Sequence, residues 1–578
     1  STALCQGMTG EGTDRRSFLR LAGGAAAAAT LAGCAGGGGG DGTDGGTDGG
    51  TDDGAGSPGG TDEGTGTPLP EPETREEYLQ RANLILNEEA PWIYLNRQYS
   101  VYGVSSRVEW EARRDEVIDA YAIQPNEGDS VSVTLSSMDS GLDPQDHRET
   151  PTDIIVTQAY EGVLRRDPEG AIVEQLATGY ERTGDSTVKF TIREGPTFHS
   201  GEELTPEDVA YSVNRIVQED VGLSPSPQRD QLAGVTGASV VDGERAVEVS
   251  TDGINPIVFE QFATYCDVMQ RSWVEENDNA YINTHMNGTG PFQLDSYEQD
   301  VSVSYTRFED YWQEPAPAAS LTIGAASESS TRVNQLLGGE ADIVVNVPPQ
   351  DATRVQDSGE ASLKPVPSTR VIYNAMVYNR EPFDSVEFRQ AMNYAIDLDS
   401  IIENILATFG DATGQPTLEG FTGYNGDVSP YPHDPEEAER LVEESGYAGA
   451  TITLHTPVGR YLKDLEIAQA VANQIDQLGN VSCSVQQRDF GNLTGELLDG
   501  DITTGPAFYL IGWGNATFDA SQTIIPLLTT DGVLTSYSNE RVDELIDTAQ
   551  STQPSEEGGS GTDTGTGMGT GTEGGNSS

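Results

Sequence analysis

The chain has 578 residues, long enough for two or three domains and a large core. Its 31 Lys and Arg against 94 Asp and Glu give a net charge of −63, which repels nucleic acid and anionic lipid and excludes partners read through a basic patch. Five Trp, 22 Tyr and 14 Phe are too many for an acidic disordered protein, so the composition describes a folded body under a dense carboxylate surface. Lysine is confined to Lys189, Lys364 and Lys463. Such a surface suits the concentrated salt of an extreme halophile, where charge repulsion is screened at short range.

At the front, Asp14-Arg15-Arg16-Ser17-Phe18-Leu19 precedes a weakly apolar, alanine-rich run over residues 21–32. That run is too short to span a bilayer as a helix, and with Arg15 and Arg16 before it the segment resembles a twin-arginine export signal. Leu31-Ala32-Gly33-Cys34 resembles a lipobox, in which small residues admit a peptidase and the Cys34 thiol takes the lipid. Residues 1–34 therefore read as a signal ending in a lipidation site. Residues 35–73, rich in Gly, Thr and Asp with almost nothing apolar to bury, read as a flexible acidic linker. Residues 556–578 share that composition and that reading.

Between Thr74 and Pro554 strand and helix patterns alternate, which predicts an α/β protein. Residues 75–86 form an amphipathic helical pattern, followed by a stop at Pro91 and a short apolar strand over 92–95. Residues 131–135 and 187–192 alternate as strands do. Thr205-Pro206-Glu207-Asp208 opens a helix with an N-cap threonine, proline at the first position and acids in the first turn; Asp434-Pro435-Glu436-Glu437 repeats the device. Cys5, Cys34, Cys266 and Cys483 show no CxxC spacing, and the five histidines are scattered, so neither a metal site nor a cofactor is expected. There is no GxSxG elbow and no P-loop, which argues against an enzyme.

A series of short words then runs in order along the body. Leu142-Asp143-Pro144 precedes Ala159-Tyr160-Glu161-Gly162-Val163-Leu164, then Arg193-Glu194-Gly195-Pro196-Thr197-Phe198-His199-Ser200-Gly201 and Thr205-Pro206-Glu207-Asp208-Val209. Gly288-Thr289-Gly290-Pro291-Phe292, Asp310-Tyr311-Trp312, Arg332-Val333-Asn334-Gln335-Leu336-Leu337, Phe388-Arg389-Gln390-Ala391-Met392-Asn393-Tyr394-Ala395-Ile396-Asp397 and Tyr537-Ser538-Asn539 follow. Together they resemble the extracellular solute-binding proteins of family 5, the group of dipeptide-, oligopeptide- and nickel-binding proteins. The resemblance implies a periplasmic-binding-protein type II fold: two α/β lobes close over a solute about a hinge of crossing strands, with a smaller third lobe inserted near 166–235. Most of these words read as scaffold. GTGPF is expected to be a tight turn needing glycine dihedrals, and His199 a turn residue.

Family members end with a helix, a Pro-aromatic strand and a last excursion, and here those pieces stand at the front, in residues 75–95 and on through 121–123. The domain therefore resembles a circular permutation, with the old termini fused near Pro125 and new ones cut near Thr74 and Pro554. On this reading 74–125 is the permuted C-terminal segment of the first lobe, and 130–300 is the first lobe with its small inserted lobe. Residues 301–508 form the second lobe and 509–555 return to the first. The helix at 75–89 is expected beside that at 540–550, and the strand 92–95 in the first lobe near the strands that begin at Val131.

The resemblance also implies site residues. Pro457-Val458-Gly459-Arg460 matches the Pro-x-x-Arg stretch whose arginine pairs with the ligand carboxylate in dipeptide-binding relatives. Gly512-Trp513-Gly514-Asn515-Ala516 departs from the peptide binders' Gly-Trp-x-x-Asp, whose aspartate holds the peptide amino terminus, and so puts a free α-amine ligand in doubt. Trp513, Asn515 and Thr517 are expected to line the pocket, Asp519 joins the ligand set by matching the family's next aspartate, which is more often structural, and Arg370 joins it by its place on a crossing strand. His147 and Arg148 occupy a loop that approaches the ligand in relatives. The function implied is that of a monomeric substrate-binding lipoprotein of an ABC-type importer. It captures peptides or similar organic anions on the extracellular face and hands them to permease and ATPase subunits. The alternative is a surface solute sensor or scaffold with the same fold.

Overall fold

The computed structural model describes residues 70–553 apart from 139–140, 148–149, 223–225, 230, 498–502 and 533. Arg15, Arg16, Cys34 and Arg148, with most of the linker and the tail, lie outside the described residues.

Two long strands organise the molecule. Trp92–Ser105 and Ala361–Met376 run antiparallel from the pair Trp92/Ala375 to the pair Ser105/Ala361. At the Ser105 end, Ile343–Val344 joins them to Ser130–Leu135, Ser320–Ala325, Ser302–Arg307 and Phe292–Glu298; at the Met376 end, Phe508–Gly514 joins them to Ala450–Pro457 and Val481–Arg488. Each end of the pair thus belongs to a different lobe.

In the second lobe the sheet is covered on both faces, and the period-2 pattern shows which residue goes where. Ile93, Leu95, Ile372, Met376, Phe508 and Leu510 enter one core; Trp92, Tyr94, Val371, Tyr373 and Tyr509 enter the core on the opposite face. The first lobe collects Val131, Val133, Leu321, Ile323 and Ile343. A third body has its own four-stranded sheet, Ala177–Gly184, Thr187–Ile192, Ala246–Thr251 and Val235–Val240, under the helix Pro206–Val217. Its core runs from Val163 to Val268.

The expected lobe boundaries need correction. The small lobe continues past residue 235, because the Val235–Val240 and Ala246–Thr251 hairpin completes its sheet. Residues 301–345 stay with the first lobe: Val303, Tyr305 and Ile323 share a core with Val133. Residues 509–549 pack in the second lobe, not the first. The segment 74–125 is divided, its helix and strand start lying in the second lobe and Tyr102, Trp110, Ile118 and Ile123 in the first. The strand 92–95 accordingly pairs with Tyr373–Ala375 in the second lobe rather than lying near Val131, since its strand crosses from one lobe to the other. The helix Arg75–Glu89 does pack beside Glu540–Gln550, with Leu79, Ala82 and Leu86 sharing a core with Val542, Leu545, Ile546 and Ala549.

Local signals act as their chemistry dictates. The Thr205 side chain accepts from the Asp208 N–H and the Asp208 carboxylate from the Thr205 N–H, closing a capping box. Asp143 of the Leu-Asp-Pro word forms a buried bidentate pair with Arg215, at 3.1 and 2.6 Å. Neither Gly288 nor Gly290 has a positive φ, contrary to the expected glycine-only turn; a Cβ at Gly288 would instead sit 1.9 Å from the Ala159 carbonyl oxygen. Glycine is there for close backbone approach. His199 is near that contact, its Nε2 3.0 Å from the Gly290 carbonyl, and burial pushes its pKa down to about 4. Cys266 and Cys483 are both free, one in the small lobe and one in the second. Among the described residues no helix is long and apolar enough to cross a membrane.

Candidate functional site

Where the long strands pass between the lobes, their register shifts between Tyr94 and Asn96 and again between Arg97 and Tyr99. Such irregularities bend a ladder and re-aim its side chains. On the second-lobe side of this hinge the strand Ala450–Pro457 ends in the turn 458–461, beside Arg370 and the end of Phe508–Gly514.

Asp464 builds the turn. It is buried, and its carboxylate accepts from the N–H groups of Gly459 (3.0 Å), Arg460 (2.8 Å), Tyr461 (3.1 Å) and Leu465 (2.8 Å). Sequence reasoning missed this residue; the signal available was an aspartate opening the helix Asp464–Asp476. The turn projects Arg460, whose guanidinium lies 5.2 Å from the Tyr461 ring centroid and 5.0 Å from that of Phe490. Arg370 approaches the same Tyr461 ring at 6.0 Å. Arg370 is paired in register with Gly514, where an added Cβ would stand 3.1 Å from its Nη2, so glycine leaves bare backbone for the guanidinium to lie along.

Neither the Arg370 nor the Arg460 guanidinium forms an ion pair or hydrogen bond with a described residue. Burial first, and then the neighbouring Arg370 charge, lower the Arg460 pKa. The residue is nonetheless exposed by surface area; both observations fit a side chain walled by protein and open on one side.

The next stretch, 514–519, is where the small lobe meets the second lobe. Arg166 donates to the Thr517 carbonyl at 2.7 Å and stacks on Phe518 at 4.6 Å, while the Thr264 hydroxyl donates to the Ala516 carbonyl at 3.4 Å. The residues implied as ligand contacts here serve the loop instead. Asn515 is buried, donating to the Asp519 carbonyl and the Thr523 hydroxyl while its oxygen accepts from the Thr517 N–H and hydroxyl. Asn515 and the Thr517 hydroxyl are therefore satisfied within 515–523. Asp519 is also withdrawn from a ligand role: it holds Arg75 bidentately at 2.7 and 3.0 Å and accepts from the Ser521 N–H and hydroxyl. Trp513 spends its indole N–H on the Gln522 carbonyl at 3.0 Å but keeps a half-buried ring beside Gly512 and Gly514. His147 is 2% exposed, with Nδ1 3.8 Å from Asp153, and offers no open face to a solute. Among the described residues no cluster of His, Cys, Asp and Glu is suited to a metal ion.

Known proteins share this architecture. The glutathione-binding protein GsiB of Salmonella typhimurium is 26% identical over 437 residues, covering 74% of this chain and 84% of its own length. Among solved structures, HbpA2 from Haemophilus parasuis superposes with a TM-score of 0.64 at 18% identity, over 74% of this chain and 89% of that one. DppA from Helicobacter pylori in complex with the peptide STSA gives 0.59 at 17% identity, over 74% and 88%. The sequence model described as bacterial extracellular solute-binding proteins, family 5 Middle, matches residues 171–534. That match covers more than half of the chain, which therefore belongs to the family 5 extracellular solute-binding proteins, transport binding proteins and not enzymes.

Proposed function

We propose that this protein is the substrate-binding lipoprotein of an ABC-type importer and captures a peptide-like or other small organic anion by closing its lobes over the hinge. The observation that carries this reading is Arg460: a cation with no ion-pair partner among the described residues, on a built turn at the hinge, in a chain of net charge −63. Arginine's fork suits a carboxylate held bidentately. Ala516 stands where peptide binders carry an aspartate, so nothing at that position neutralises a ligand amine. Glutathione and peptides, named for relatives, are carboxylate-bearing solutes of the size in question. Loss of a charge-assisted pair in a closed cleft costs about 2–5 kcal/mol, mostly in dissociation rate. Arg460→Ala is expected to weaken binding of the natural solute at least tenfold by calorimetric titration, and an affinity within twofold of the parent would return Arg460 to the surface.

The membrane tether belongs to the same proposal. Arg15-Arg16 and the Leu-Ala-Gly-Cys34 word motivate export followed by lipidation at Cys34. Cys34→Ala is expected to release the protein into the medium; retention on membranes in low-detergent washes would remove the tether.

Circular permutation explains the chain order. Its support is the packing of Arg75–Glu89 on Glu540–Gln550 and the ion pair of Glu71 with Arg541 at 3.0 Å, which bring the two ends of the body together. The tether would then enter at the second lobe.

A further inference from the structure

Two guanidiniums share one aromatic ring at the hinge, and among the described residues no anion pairs with either. Arg370 and Arg460 lie 6.0 and 5.2 Å from the Tyr461 centroid, and Phe490 backs Arg460 at 5.0 Å. Like charges held together repel, and the Arg370 charge acts on Arg460 in that sense. The carboxylates that act on Arg460 are Glu116 and Asp464, and neither forms an ion pair with it. Asp464 is saturated by four backbone N–H groups, and Glu116 accepts from the Ser100 hydroxyl at 2.9 Å. The aromatic rings supply cation–π attraction that holds both side chains in place before a ligand arrives.

We propose that Arg370 and Arg460 act as a pair, selecting a solute that presents two negative charges to the cleft. This rests on the solute-capture reading and adds its charge. A singly charged solute satisfies one guanidinium and leaves the other facing it unpaired, whereas a dianion satisfies both.

The test uses the whole protein at fixed high ionic strength and three probes: N-acetylglycylglutamate with two carboxylates, N-acetylglycylglutamine with one, and inorganic phosphate. The parent is expected to bind the two-carboxylate probe at least tenfold tighter than the one-carboxylate probe. Arg370→Gln should weaken the two-carboxylate probe at least tenfold and erase that difference, and Arg370→Lys, which keeps the charge, should restore part of it. Phosphate binding with the same Arg370 dependence supports the pair and assigns the two charges to one phosphoryl group. Equal affinity of the parent for the two peptides, a difference that survives Arg370→Gln, or no binding of any probe overturns the proposal. Failure of the underlying reading looks different: probes bind, and Arg460→Gln changes none of them.

Discussion

Deleting residues 71–125 is expected to leave a chain that does not fold. The segment supplies the helix Arg75–Glu89 and one of the two strands that tie the lobes together. Leu79, Leu86, Trp92, Ile93 and Leu95 are fully buried, and Trp92 stacks on Tyr373 at 3.5 Å between centroids. Each such side chain contributes about 1.5–3 kcal/mol on burial. Together they match the roughly 5–15 kcal/mol by which a whole domain is stable. The remainder would also expose Val542, Leu545 and Ile546 and lose the central strand of its sheet. Circular dichroism should find no cooperative melt; a remainder melting near the parent would make the segment an appendage. On the proposed permutation, moving 71–125 behind residue 553 would place the segment where family members carry their last helix and strand. The rearranged chain should keep a cooperative transition, because Glu71 and Arg541 already stand together, and its loss would mean that the segment cannot dock from that end.

Asp519→Ala is expected to destabilise the fold by about 3–5 kcal/mol, because it strands a buried arginine. Arg75 and Asp519 have side chains only 5% and 3% exposed, and their bidentate contact joins the first turn of the Arg75–Glu89 helix to the loop at the lobe junction. The substitution also removes the acceptor of the Ser521 N–H. Arg75→Ala should cost a similar amount, and the double variant less than the two together, since the residues act as a unit. Denaturant titration reads all three. Were Asp519 a ligand contact instead, stability would stay within about 1 kcal/mol of the parent and solute affinity would fall.

These two residues show how far the sequence was legible. The family words identified the fold, and caps such as Thr205-Pro206 and Asp434-Pro435 were readable because their partners lie within a turn. The role of Asp519 was not, because its partner is 444 positions away. The strand Trp92–Ser105 was expected to end near Leu95, where Asn96-Arg97-Gln98 breaks the apolar pattern. Those polar residues are the hinge: Arg97 Nε donates to the Ser368 carbonyl at 2.6 Å, and the Gln98 side-chain oxygen accepts from the Leu462 N–H at 3.1 Å. Lobe membership beyond it followed long-range pairing and was misassigned for the same reason. Within the site, matching by position picked out Arg460, whose guanidinium rests on Tyr461 and Phe490 without an ion pair among the described residues. It also drew in Asn515, Thr517 and Asp519, whose hydrogen bonds turn inward. Asp464, which shapes the turn, belongs to no family word.

The solute itself tests the central claim most directly. Protein purified gently in high salt, then denatured and read by mass spectrometry, should release a small organic anion from the parent and markedly less of it from Arg460→Ala. Equal recovery from both proteins, or release of a cation or a free metal ion in its place, would contradict capture of an anion at Arg460.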